Sequence, residues 1–167
     1  MTSEKLAPPH MQFDKTATIH KSDKFICIET LSGTAGLTYR EDEPHRIYLE
    51  PEATNEALGQ ALLAALDRSR FIEDRAFYKA DRATRVYADW QKEFTRRHGY
   101  KSKRECFKTV DWCMTRIREG KIIIKPHGRD KPGAWRGLPQ DQTVVIPLTQ
   151  DAAVAGAALR LALDRCG

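Results

Sequence analysis

Two segments of this chain, 97 residues apart, repeat one pattern, and that repeat restricts the folds open to it. Ile47-Tyr48-Leu49, a turn, and Gly59-Gln60-Ala61-Leu62-Leu63-Ala64-Ala65-Leu66-Asp67-Arg68-Ser69 form one copy. Val144-Val145-Ile146, a turn, and Gly156-Ala157-Ala158-Leu159-Arg160-Leu161-Ala162-Leu163-Asp164-Arg165-Cys166 form the other. Two copies cannot make a solenoid, which stacks three or more units. They predict one domain, residues 1–167, built from two pseudo-equivalent strands-then-helix modules at about 16–70 and 100–167. Residues 1–15, with Pro8-Pro9 and few periodic apolar positions, read as a loosely ordered arm.

Local patterns fill in the modules. Thr16–His20 and Phe25–Ile28 read as strands, the second a β-rich apolar run bounded by polar residues. Ser32-Gly33-Thr34-Ala35-Gly36 has turn chemistry, and strands follow at 37–40 and 45–49. Thr54 or Asn55 is placed to cap a helix ending near Ser69, with Glu56 in its first turn. Val86, Trp90 and Phe94 recur every four residues and predict an amphipathic helix over 81–98, closed by Gly99. Ser102 begins a short helix through Phe107. Residues 110–118 and 121–125 form a hairpin around Glu119-Gly120. Residues 126–142, with three Pro and three Gly, read as an irregular loop around Trp135. A strand over 143–146 and a helix opened by Thr149 or Asp151 finish the chain. The expected class is α+β, with antiparallel strands decorated by helices.

Charge is unevenly spread. Lys plus Arg number 28 against 23 Asp plus Glu, yet residues 79–131 carry 16 basic and 7 acidic side chains while 41–78 carry 4 and 9. No apolar run has signal-peptide or membrane-span length. Cys27, Cys106, Cys113 and Cys166 show neither metal spacing nor a disulfide framework, which points to a reducing cytoplasm. Cys27 and Cys113 suit a core, and Cys166 reads as packing or surface. The five histidines never take a helical i, i+4 spacing, and HExxH, CxxC, GxSxG and GxGxxG are absent. Neither catalytic nor metal-ligating residues are assigned, and no cofactor is expected.

Two segments stand out as interaction surfaces. Glu41-Asp42-Glu43 is an acidic turn, either merely solvated or a steering face for a basic partner. Residues 125–137 place His127, Arg129, Asp130, Lys131 and Trp135 in one long loop, and Trp and Arg are frequent interface anchors. Trp135 equally suits a lid over the sheet. Tyr100-Lys101-Ser102-Lys103-Arg104, with Phe107, Lys108 and Trp112, mixes charge and aromatics as single-strand binders do, but those rings suit a core as well.

The order of Gly99-Tyr100-Lys101-Ser102-Lys103-Arg104, Phe107-Lys108, Gly120-Lys121-Ile122-Ile123-Ile124-Lys125-Pro126, Asp130-Lys131, Trp135, Val144-Val145-Ile146-Pro147, Gly156-Ala157-Ala158-Leu159-Arg160 and Arg165-Cys166 resembles the CdiI family of immunity proteins. These belong to contact-dependent growth inhibition systems of Gram-negative bacteria. The resemblance covers roughly residues 80–167. It implies a Whirly-like α+β fold and a cytoplasmic, non-enzymatic protein that binds the C-terminal toxin domain of a cognate CdiA exoprotein, often a nuclease. A toxin hairpin adding to the immunity protein's sheet is one mode the resemblance implies. The acidic turn Glu41–Glu43 and the loop holding His127, Arg129, Asp130, Lys131 and Trp135 are then expected to flank the docking site. The alternative is a Whirly-like protein that binds single-stranded nucleic acid.

Overall fold

The computed structural model describes residues 13–166, so most of the expected N-terminal arm lies outside the described residues. The first module contains β1 (Thr16–Lys21), β2 (Ile26–Thr34), β3 (Leu37–Tyr39), β4 (Arg46–Leu49) and α1 (Asn55–Arg68). A connecting segment holds α2 (Ala80–Arg96) and α3 (Lys103–Phe107). The second module contains β5 (Asp111–Arg118), β6 (Lys121–Arg129), β7 (Trp135–Gly137), β8 (Val144–Pro147) and α4 (Ala152–Asp164). All named strand pairs are antiparallel. The order is β3-β2-β1-β5-β6-β7, with β4 sharing the outer edge of β2 and β8 that of β6. The modules therefore meet at the β1–β5 pair, and each carries the same arrangement outward from it. This is the α+β class expected of an antiparallel sheet with helices packed on it.

The repeat is explicit in side-chain contacts. Arg68, at the end of α1, meets Nδ1 of His45 at 2.7 Å, and Arg165, 97 residues on, donates to the Gln142 carbonyl, 97 residues after His45. Ser69 Oγ accepts from the Thr16 amide in β1, while Cys166 Sγ lies 3.5 Å from Cys113 Sγ at the matching place in β5. Equivalent residues thus seal equivalent gaps between helix end and first strand.

One sheet face is covered by α1 and α4. Alternation along the strands turns Ala17, Ile19, Ile26, Ile28, Ile122 and Ile124 toward Leu58, Leu62, Leu66, Leu159 and Leu163. Burying each Leu or Ile contributes about 1.5–3 kcal/mol. The helices cross on Gly59 and Gly156. A Cβ on Gly59 would enter the Ala152 carbonyl, and one on Gly156 the Asn55 carbonyl. Glycine is demanded here by backbone approach, which explains why both copies keep it. Thr54 Oγ1 caps α1 by accepting from the Ala57 amide, and Asp151 caps α4 through the Ala153 and Val154 amides.

The expected loop over 126–142 is corrected. β6 continues through Pro126, His127, Gly128 and Arg129, and Trp135–Gly137 returns as β7. Proline is tolerated because Pro126 falls between the β8 pairing at 121–124 and the β7 pairing at 127–129, where the outer ladder is interrupted. The turn expected at 32–36 is similarly shortened, because β2 extends to Thr34 and pairs with β3. The β5–β6 hairpin turns where expected, with Glu119 and Gly120 both at positive φ, as a two-residue primed turn requires.

Candidate interaction surface

The second sheet face is divided. Over the first module, α2 and α3 form a roof, and Trp90 and Phe94 pack with Phe25, Cys27, Tyr100, Cys106 and Phe107. Phe94 and Phe107 stack at 5.3 Å, and Trp90 lies 5.6 Å from Phe107. Tyr100 and Phe107, two of the aromatics that suggested nucleic-acid stacking, are therefore buried in this roof.

The roof is also tied down by charge. Glu29 is fully buried on β2. Its carboxylate accepts from Arg40 Nη2 at 2.8 Å and from Arg46 Nε at 2.7 Å. Arg46 reaches on to Glu93 of α2, and the Arg40 guanidinium lies 4.0 Å over the Trp90 ring. A buried carboxylate is tolerable only when paired in this way. Sequence reading missed this cluster, although a Glu inside an otherwise apolar strand run was its visible signal.

The acidic turn does not stand free. Glu41 accepts from Ser32 Oγ and pairs with Arg70, and these contacts hold its carboxyl below the usual range against the opposing effect of burial. Asp42 pairs with Arg82 at 3.2 Å and Arg85 at 3.3 Å, near the start of α2. Glu43 is exposed. The turn borders a cleft of about 740 Å³ lined also by His45, Arg68, Asp74 and Phe77, so arginines share its walls with carboxylates.

The second candidate segment lies elsewhere. His127 stacks on Trp112 with ring centroids 3.8 Å apart, and burial pushes its imidazole below the ordinary range. Trp112 also stacks with buried His20, and its Nε1 donates to Thr18 Oγ1 at 2.7 Å. Trp135 donates to the Val110 carbonyl at 2.9 Å and packs against the roof. Arg129 pairs with Asp111 at 2.7 Å. Lys131, with Pro132 and Gly133, lines a hollow beside Gln91, Lys103, Arg104 and Phe107. The acidic turn thus contacts the first turns of α2, whereas Lys131 faces Gln91 of α2 and α3. The two segments share the α2 side of the sheet but do not form one pocket.

Beside the roof, the same face of the second module is open. Arg116, Ile123 and Val145 occupy one cross-strand row, and Met114 pairs with Lys125. Arg116 is exposed, Val145 is 50% exposed, and Lys125 is half-buried. A groove of about 520 Å³ between α2 and the sheet, lined by Thr38, Tyr87, Trp112 and Met114, leads onto this surface. Sequence reading did not single out these residues, although Met114-x-Arg116-x-Arg118 and Lys121-x-Ile123-x-Lys125 share the two-residue period of one strand face.

Among the described residues, no cluster of three or more His, Cys, Asp or Glu side chains is arranged to hold a metal ion. Among the same residues, no helix is long and apolar enough to cross a membrane.

Comparison with known proteins agrees with this architecture. The model of the CdiI family, described as CDI immunity protein, matches residues 15–166. The immunity protein CdiI-YPIII of Yersinia pseudotuberculosis serotype O:3 (strain YPIII) is 28% identical over 171 residues, covering 90% of this chain and 94% of its own. A chain of the CdiA-CT/CdiI toxin and immunity complex from Yersinia pseudotuberculosis superposes with a TM-score of 0.86 at 26% identity, covering 93% of this chain and 98% of the other. A protein of unknown function from Neisseria meningitidis, NMB0488, superposes with a TM-score of 0.85 at 27% identity, covering 97% and 100%. With a family match running from before β1 to beyond α4, the chain belongs to the CdiI family of CDI immunity proteins.

Proposed function

We propose that this chain neutralises the C-terminal toxin domain of a cognate CdiA exoprotein by stoichiometric binding in the cytoplasm of the producing cell, without catalysing a reaction. The observation that carries this reading is the near full-length likeness to a chain of a CdiA-CT/CdiI toxin and immunity complex. The toxin is a nuclease in this reading, as the family resemblance implies. An immunity protein of this kind needs a rigid surface, complementary charge and a few desolvated anchors. The sheet anchored between α1–α4 and the α2–α3 roof supplies the rigidity.

In the proposed docking geometry the toxin lies along the α2 side of the sheet. Glu41, Asp42 and Glu43 border it at one end of α2, and Arg129, Asp130 and Lys131 border it beyond α3. His127 and Trp135 then support the surface from beneath. The reading expects a CdiA exoprotein gene beside the gene for this chain, and the test is co-expression with that exoprotein's C-terminal domain. Survival of cells only when both are made, with co-elution of the two proteins, is the expected result. A toxin that stays lethal and elutes alone would overturn the reading.

A further inference from the structure

The two modules are equivalent in strand order, but the α2–α3 roof lies over the first and reaches the second along Trp112 and Trp135. The rest of the matching face of the second module, around Arg116, Ile123 and Val145, has no covering element among the described residues. We infer that this bare face is the main seat for the toxin domain, and that the segment it receives is acidic and carries aliphatic side chains between its carboxylates. This rests on the proposed function and specifies which surface and which chemistry perform it.

Arg116, Arg118, Lys121 and Lys125 all project from this face of β5 and β6, since cross-strand partners share a side. Arg118 has a distant partner in Asp14 at 3.9 Å. Arg116, Lys121 and Lys125 have no side-chain hydrogen bond or ion pair among the described residues. By contrast, Arg40, Arg46, Arg70, Arg82, Arg85 and Arg129 each engage a carboxylate. Like charges gathered on adjacent strands repel one another, so the grouping weakens the free sheet and favours a partner that brings negative charge.

The chain supplies its own precedent. On the first module the roof helix brings Glu93 onto Arg46 while Trp90 and Phe94 cover the apolar strand positions. The bare face offers the same combination of cations and apolar positions, with Met114, Ile123 and Val145 between the charges. Those three are aliphatic or thioether side chains, which suits side-chain packing better than base stacking. Trp112 is stacked with His20 and His127 and has its N–H bonded to Thr18, and Tyr87, at the edge of the groove beside it, packs tilted on Trp90. A single-stranded nucleic acid would find cations here, but one part-exposed ring at the groove edge, Tyr87, against three aliphatic or thioether side chains on the sheet itself.

The test compares the full chain with the double variant Arg116→Glu/Lys125→Glu, titrated against the toxin domain of the same locus. Circular dichroism and urea midpoints establish that the variant is folded, and Arg116→Ala/Lys125→Ala serves if reversal unfolds it. The expected result is a rise in Kd of about 100-fold or more for the reversal, because desolvated interfacial charge pairs lose that much when one member is inverted. Gln60→Glu on α1, on the opposite side of the sheet, is expected to bind as the unaltered chain does. Added NaCl should weaken the unaltered complex more steeply than the variant's residual one. Unchanged toxin affinity in the folded variant would overturn the assignment while leaving the immunity reading standing; failure of the unaltered chain to bind would overturn both. Salt-sensitive binding of a 20-mer single-stranded oligonucleotide, or a dimer, that the variant abolishes while keeping its toxin affinity would also overturn it.

Discussion

Replacing Gly59 by Ala should destabilise the protein, although the same change in an ordinary helix interior gains about 1 kcal/mol of helix propensity. The reversal of sign follows from the α1–α4 crossing, where the new methyl would enter the Ala152 carbonyl. Restoring ordinary contact requires the two backbones to part by roughly 1.5–2 Å at this point. A gap of even about 1 Å forfeits up to half of a contact's dispersion energy. Leu58, Leu62, Leu159 and Leu163 are all buried near the crossing. If each gives up about 1 kcal/mol of packing, the loss is about 4 kcal/mol and the net effect about 3 kcal/mol. For a domain of this size that lowers Tm by about 6–12 °C. Urea and thermal unfolding of Gly59→Ala, Gly156→Ala and the double variant would measure it. The two costs should be less than additive, since helices already parted by one methyl admit the other more easily. A neutral or stabilising Gly59→Ala would refute the crossing as described.

Two other perturbations probe the roofed face. Glu29→Gln leaves the Arg40 and Arg46 guanidiniums without their shared carboxylate and should cost about 3–5 kcal/mol in urea unfolding, the range for breaking a buried pair. His20 is buried among rings, and burial first, then Arg40 and His127, push its imidazole well below the ordinary value. Its lowered folded pKa means that stability is fully present above the unfolded pKa near 6.5 and declines as pH falls below it toward the folded value. His20→Phe should flatten that decline, which can reach about 1.4 kcal/mol per pH unit for one such group, as read by urea midpoints at pH 7.5, 6.5 and 5.5.

The repeat was legible because it is written in residue identity: Gly59 and Gly156, Arg68 and Arg165 make contacts that tolerate few substitutes. Caps and the Glu119-Gly120 turn were legible because they are local. Strand continuity through Pro126 and Gly128 was not, because it depends on which neighbour pairs with which stretch of β6. The Glu29 cluster joins residues from β2, the β3–β4 connection, β4 and α2, and only the folded sheet assembles them. Candidate surface residues were legible as types but not as places. His127 and Trp135 lie in the aromatic packing, Glu41 and Asp42 face arginines brought from distant segments, and the open basic face lies beyond the edge of the α2–α3 roof, which only the fold places.

Stoichiometric neutralisation of a toxin domain can be read by isothermal titration of the purified chain with the toxin domain of its own locus. One toxin per chain is expected, with a Kd near 10 nM or tighter, about −11 kcal/mol, since neutralisation in a cell demands binding well below micromolar concentrations. Absence of binding at micromolar concentrations of both folded proteins would contradict it.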